Sequence, residues 1–130
     1  MENASLKPRI LVVEDDAPLR RLLIHRLSIA GYGVMAAQNG LEAVSWLGNP
    51  GHAPDVVLLD IFMPIYSGLD VLAKIKSMAQ KMPVILMSQA EMPIAREAVR
   101  QASPDAFLAK PFKMEELLTL LGQFVAPVPA

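Results

Sequence analysis

Apolar residues fall along the chain in two alternating rhythms. Short unbroken runs occupy residues 10–13, 34–37, 55–60, 84–88 and 106–109. Continuous hydrophobicity, rather than an every-second-residue alternation, is what a strand covered on both faces requires, as in a parallel sheet. Between these runs the apolar positions recur at three- and four-residue steps, the spacing of amphipathic helices. The first helix is expected over 18–30, with Leu19, Leu22, Leu23 and Leu27 on one stripe, Arg20 and Arg21 facing away, and Gly31 as the C-cap. The second, 41–47, is expected to bury Leu41, Val44 and Leu47 before Gly48-Asn49-Pro50-Gly51 stops it. The third runs over about 68–79 with Leu69, Leu72, Ile75 and Met78 inward, the fourth over about 94–101, and the fifth over about 113–125.

The result is a βα unit repeated five times. Parallel strands joined by right-handed helical crossovers give a doubly wound α/β sheet, five strands in the order 2-1-3-4-5 with helices on both faces. One domain is expected over residues 9–125. Residues 1–8 form an N-terminal tail, and Ala126-Pro127-Val128-Pro129-Ala130 a flexible tail or the start of a linker, because that composition cannot continue a helix.

Composition narrows the function classes. At 130 residues and 53% hydrophobic, the chain can bury a full core without a metal or disulfide staple. Lys plus Arg is 12 and Asp plus Glu is 13, a net charge of -1. That balance argues against a direct nucleic-acid binder or a membrane-surface protein. With no cysteine, zinc clusters, thiol catalysis and thiol redox sensing are excluded. The N-terminus has no apolar core of a secretory signal, and the runs at 10–13 and 56–59 are far too short to span a bilayer, so a cytoplasmic location is expected.

In a doubly wound sheet, ligands sit at the carboxyl ends of the strands near the point where strand order reverses. The first strand ends in Glu14-Asp15-Asp16, the third in Asp60 and the fourth in Ser88, and the fifth leads into Lys110-Pro111. Carboxylates packed that closely repel and take up protons unless a cation joins them. A hard divalent ion that keeps several waters suits such oxygens, and Mg²⁺ (or Mn²⁺) fits. One carboxylate can then attack a phosphoryl group, with Lys110 neutralising its oxygens and Ser88 donating a hydrogen bond.

Four segments, Ile10-Leu-Val-Val-Glu-Asp-Asp16, Val56-Val-Leu-Leu-Asp60-Ile-Phe-Met-Pro64, Pro83-Val-Ile-Leu-Met-Ser88 and Lys110-Pro-Phe112, closely resemble the signature segments of the response-regulator receiver family, in its order and spacing. The resemblance covers about residues 9–125 and implies a flavodoxin-like fold and a two-component phosphorylation switch. It implies Asp60 as phosphoacceptor, and a metal held by Asp15, Asp60, the backbone carbonyl of Phe62 and, through water, Glu14. It further implies Ser88 and Lys110 as phosphate contacts, Phe107 as the aromatic switch of the fifth strand, and a cis peptide bond between Lys110 and Pro111. The partner it implies is a sensor histidine kinase or histidine phosphotransfer protein, with Arg20 and Arg21 beside the site as donor-docking candidates. A homodimer or downstream effector would use the face of helices four and five, where Leu120 stands outside the stripe of Leu117, Leu118, Leu121 and Phe124. Such a domain is not a conventional enzyme; it promotes its own phosphorylation and dephosphorylation.

Each residue alone has a plainer reading: Asp16 as a helix cap, Ser88 as a strand-end hydroxyl, Lys110 as a surface charge, Phe107 as core. Their joint occurrence favours the site. The sequence departs from the family pattern at Gln89, where Ala or Gly is usual, at Ser67, and at Ser103-Pro104. Gln89 is the one feature favouring the alternative, a receiver-like interaction module that acts without phosphorylation. His25 and His52 are read as surface residues without metal-ligand company.

Overall fold

A computed structural model of the protein describes residues 7–79, 81–89 and 93–128, without the side chains of His52, residues 93–96 and Ala98. Most of the expected N-terminal tail, the last two residues, and the His52 ring lie outside what is described. The strands are β1 (Arg9–Val13), β2 (Gly33–Ala37), β3 (Val56–Asp60), β4 (Val84–Gln89) and β5 (Ala106–Lys110). The helices are α1 (Ala17–Ala30), α2 (Gly40–Leu47), α3 (Gly68–Ser77), α4 (Pro93–Ala102) and α5 (Met114–Gly122), with a 3₁₀ turn at Pro50–His52. All pairings are parallel and the strand order is β2-β1-β3-β4-β5, as the alternation of elements implies.

Strand pleating divides the core into two. Leu11, Val13, Val57, Leu59, Val84 and Leu86 face α2 and α3, meeting Ala43, Leu47, Val71, Leu72 and Ile75, with Val99 of α4 packed against them. Ile10, Val12, Val56, Leu58, Ile85 and Met87 face the other way, against Leu23 and Leu27 of α1 and Leu117 and Leu121 of α5. Every residue of β3 is buried. Two-sided burial is why these strands lack alternation.

The helices start on polar caps. Asp16 accepts the Leu19 N–H at 2.9 Å, Asn39 accepts the Glu42 N–H at 2.8 Å, and Ser67 and Asp70 form a capping box. Gly31 closes α1 in the left-handed region at φ 109.

Several expectations are corrected. Leu41 is 58% exposed, not buried. A Cβ at Gly40 would lie 2.3 Å from the Tyr66 carbonyl oxygen. That close approach turns the Gly40, Ala43 and Leu47 face inward and Leu41 outward. Leu22 is exposed on the flank of the α1 stripe, beside Phe112 and Met114, and Val71 is buried beside Leu72. Helices α3 and α5 end at Ser77 and Gly122, earlier than their apolar spacing suggests. Leu120 is half-buried against the α1–α5 core instead of standing free. Near the chain end, the Val128 N–H donates to the Gly31 carbonyl at 3.0 Å, and the Tyr32 hydroxyl donates to the Val125 carbonyl at 3.0 Å. Among the described residues, no helix is long and apolar enough to cross a membrane.

Candidate metal and phosphoryl site

The carboxyl ends of β1, β3, β4 and β5 open into a cleft of about 460 Å³, at the point where the chain order reverses between β1 and β3. Glu14, Asp15, Asp60, Phe62, Gln89 and Lys110 all line it. Carboxylate oxygens of Glu14, Asp15 and Asp60 lie within 4.8 Å of one another. The fold thus gathers the acids expected to converge, from positions some 45 residues apart.

Asp60 ends β3 and is only 5% exposed. The chain after it turns back sharply: the Gly68 N–H donates to the Ile61 carbonyl at 2.8 Å, and a Cβ on Gly68 would sit 2.1 Å from the Asp60 carbonyl oxygen. Gly68 therefore lets α3 start against the backbone of the site, a role invisible in its sequence position at a helix start.

Lys110 Nζ bridges two acids, donating to Glu14 Oε1 at 2.9 Å and to Asp60 Oδ1 at 3.2 Å. Burial opposes the ammonium charge, yet the hydrogen bond to Glu14 and the attraction of Asp60 and Glu14 outweigh it, raising the Lys110 pKa. For Asp60, burial first and then the Glu14 carboxylate raise the pKa from 3.8 to about 6, against the lowering pull of Lys110. Asp15, the third acid of the group, is not among the partners of Lys110. The Lys110–Pro111 peptide bond is cis.

Glu14, 1% exposed, is saturated with partners. Its N–H donates to Ala37 O at 3.1 Å, its Oε2 accepts the Asp16 N–H at 3.2 Å, and its carbonyl accepts from Arg20 Nη1 at 2.8 Å. Arg20, read from helical spacing as facing away, turns back onto the end of β1. Periodicity reports which side of the helix a Cα occupies and not where a long side chain reaches, so this contact had no sequence signal. Ser88 is buried, and its Oγ has no hydrogen-bond partner among the described residues. Gln89 is exposed at the cleft and pairs in register with Lys110. Phe62 is 49% exposed. Phe107 is 39% exposed on the edge strand β5, so it is not the plain core residue of its simplest reading.

Comparison with known proteins agrees with this geometry. The family model described as the response regulator receiver domain matches residues 10–122. The chain is 40% identical over 110 residues to the response regulator MprA of Mycobacterium sp. (strain KMS), covering 85% of this chain and 47% of that protein. It thus spans about half the length of the curated relatives it matches. Among solved structures it is similar to the response regulator protein TrrA of Thermotoga maritima, solved in complex with Mg²⁺-BeF, at 31% identity and a TM-score of 0.79 over 91% of this chain and 99% of that one. It is also similar to the chemotaxis response regulator CheY4 of Vibrio cholerae, at 26% identity and a TM-score of 0.82 over 92% and 99% of the two chains.

Proposed function

The chain belongs to the response regulator receiver domain family, and from that premise we propose that it is a signalling switch loaded by phosphorylation of Asp60. The observation that carries the reading is the cleft itself: a buried carboxylate at the end of β3, a lysine 3.2 Å away, and two further acids within 4.8 Å.

A divalent cation suits these residues. Three carboxylates lie within 4.8 Å of one another while Lys110 pairs with only two of them, and Asp60 is pushed up to about 6 by burial and by Glu14. Asp15, Asp60 and the Phe62 carbonyl would hold Mg²⁺ (or Mn²⁺), with Glu14 reaching it through water, and the similar Thermotoga protein was solved with Mg²⁺. When bound, the ion supplies positive charge that keeps Asp60 ionised and offsets charge on the transferred phosphoryl oxygens.

In the proposed step, an Asp60 carboxylate oxygen attacks phosphorus of a phosphohistidine. The P–N bond breaks, the imidazole leaves and takes up a proton, and an acyl phosphate remains. Lys110 pairs with the phosphoryl oxygens, and the Ser88 hydroxyl, buried without a described partner, donates to one of them. Hydrolysis reverses the switch: water attacks phosphorus and the Asp60 carboxylate leaves. The donor is a sensor histidine kinase or a phosphotransfer protein acting in the cytoplasm, and the exposed Leu22 and Arg26 of α1, which share a groove with Lys110, stand beside the site as its docking face. The added charge biases two conformations through Ser88 and Phe107, which is 39% exposed here, and remodels the α4–β5–α5 face for a second copy or an effector.

One observation favours a second reading. Gln89 projects a long side chain into the cleft, which suits a module that binds partners without phosphorylation. Intact mass after incubation with phosphoramidate, with and without Mg²⁺, separates the two. A single Mg²⁺-dependent phosphoryl adduct on wild type and none on Asp60→Asn is the expected result. An adduct that persists in Asp60→Asn removes Asp60 as acceptor, and no adduct at all on wild type favours the phosphorylation-independent module.

A further inference from the structure

Asp15 is the one acid of the cluster that is exposed, and none of the described hydrogen bonds or ion pairs fixes its carboxylate. Its direction is set instead by the backbone on either side. The preceding carbonyl, Glu14 O, is gripped by Arg20 Nη1 at 2.8 Å. The following amide, Asp16 N–H, donates to Glu14 Oε2 at 3.2 Å, and the Asp16 carboxylate caps α1 at the Leu19 N–H, 2.9 Å away. Arg20 sits in the first turn of that same helix. Its guanidinium closes a ring from the end of β1, through the acidic loop, into α1 and back. Within that ring, among the described residues, the Arg20 bond is the one that holds the peptide joining Glu14 to Asp15. Arg20 is half-buried, so this grip is part of the folded site and not a passing surface contact.

From this arrangement we infer that Arg20 is a positioning residue that orients the Asp15 carboxylate and thereby gives the acidic cluster its preference for Mg²⁺ over Ca²⁺. The inference rests on the metal-binding part of the function proposed above. Mg²⁺ demands near-ideal octahedral oxygens at short range, whereas Ca²⁺ accepts six to eight ligands in a flexible shell. A loosened Asp15 therefore penalises the small ion and leaves the large one nearly unaffected. A purely electrostatic role predicts the opposite pattern. Removing a positive charge next to three carboxylates would tighten both dications, and by equal amounts, because their charges are equal.

Calorimetric titration of MgCl₂ and CaCl₂ into wild type, Arg20→Ala and Arg20→Lys at pH 7.5 tests this, and reads binding without any turnover. Arg20→Ala is expected to weaken Mg²⁺ binding by about tenfold, the scale on which groups that orient metal ligands act, and Ca²⁺ binding by less than about twofold. Arg20→Lys, which retains a donor able to meet the Glu14 carbonyl, is expected to restore most of the Mg²⁺ affinity. If Arg20→Ala does not fold, Arg20→Met keeps the aliphatic stem and removes the donors. Equal tightening of both ions, equal weakening of both, or no change in either overturns the positioning role while leaving the metal site intact. A wild type that binds neither ion overturns the metal reading, and this inference with it.

Discussion

Replacing Asp60 with Asn should make the metal-free protein more stable, even though it removes the residue on which the proposed switch depends. The sign follows from the raised pKa. A carboxyl group that titrates at about 6 in the fold and at 3.8 when unfolded favours the native state fully only below pH 3.8. That contribution is lost as pH rises through about 6. The rise corresponds to about 3 kcal/mol at pH 7.5, where the ionised group is held in the native state against burial and the Glu14 charge. The attraction of Lys110 is already contained in that net figure. The asparagine side chain carries no charge, and its amide oxygen can still accept from Lys110 Nζ, which reaches Asp60 Oδ1 at 3.2 Å in wild type. Urea unfolding at pH 7.5 in EDTA should place the midpoint of Asp60→Asn above that of wild type by about 1–2 M, for a dependence of about 2 kcal/mol per molar urea. At pH 4 the difference should shrink below about 1 kcal/mol, because folded wild type is then protonated. Adding 10 mM MgCl₂ at pH 7.5 should raise wild type and narrow the gap, since an ion that binds only the native state stabilises it. A variant that is no more stable than wild type at pH 7.5, or a gap that does not close at pH 4, would refute the claim that Asp60 is held ionised under strain.

Three further substitutions probe the backbone around the cleft and the far end of the sheet. Ile65 has φ 71 and is 93% exposed, and the Tyr66 N–H donates to the Pro64 carbonyl across it at 2.8 Å, the strained form of a γ-turn. Ile65→Asn, better suited to that region and losing almost no packing, should stabilise by about 1 kcal/mol and raise the thermal midpoint by a few degrees. Gly68→Ala drives a Cβ into the Asp60 carbonyl and should destabilise by more than about 2 kcal/mol in urea unfolding, with Mg²⁺ affinity falling because Asp60 is displaced. Tyr32→Phe leaves the Val125 carbonyl without its 3.0 Å donor and should cost about 1 kcal/mol, with faster hydrogen exchange at the Val128 amide that is bonded to Gly31.

What the sequence disclosed and what it withheld divide along a physical line. The five βα units, the two-sided strands and the convergence of Glu14, Asp15, Asp60 and Lys110 follow from patterns local to each segment: run length, helical spacing, and the residue that ends each strand. Once the topology is right, strand ends converge whatever the loops do, so the site was legible before its geometry was. The residues misread are those whose environment comes from a distant segment meeting backbone. Leu41 turns outward because Gly40 approaches the Tyr66 carbonyl, 26 positions along the chain. The Val128 backbone comes against Gly31 because that residue has no Cβ; one there would lie 2.5 Å from the Val128 carbonyl oxygen. Arg20 points to the Glu14 carbonyl, a group that every residue possesses and no sequence pattern marks. Two of these three contacts are made possible by a glycine that a local reading explains completely as a helix start or a helix stop. Where a capping glycine also carries no room for a Cβ, its identity records a tertiary contact as well as a local conformation, and substitution by alanine separates the two: it leaves the cap at Gly40 conformationally allowed while forcing Tyr66 to move.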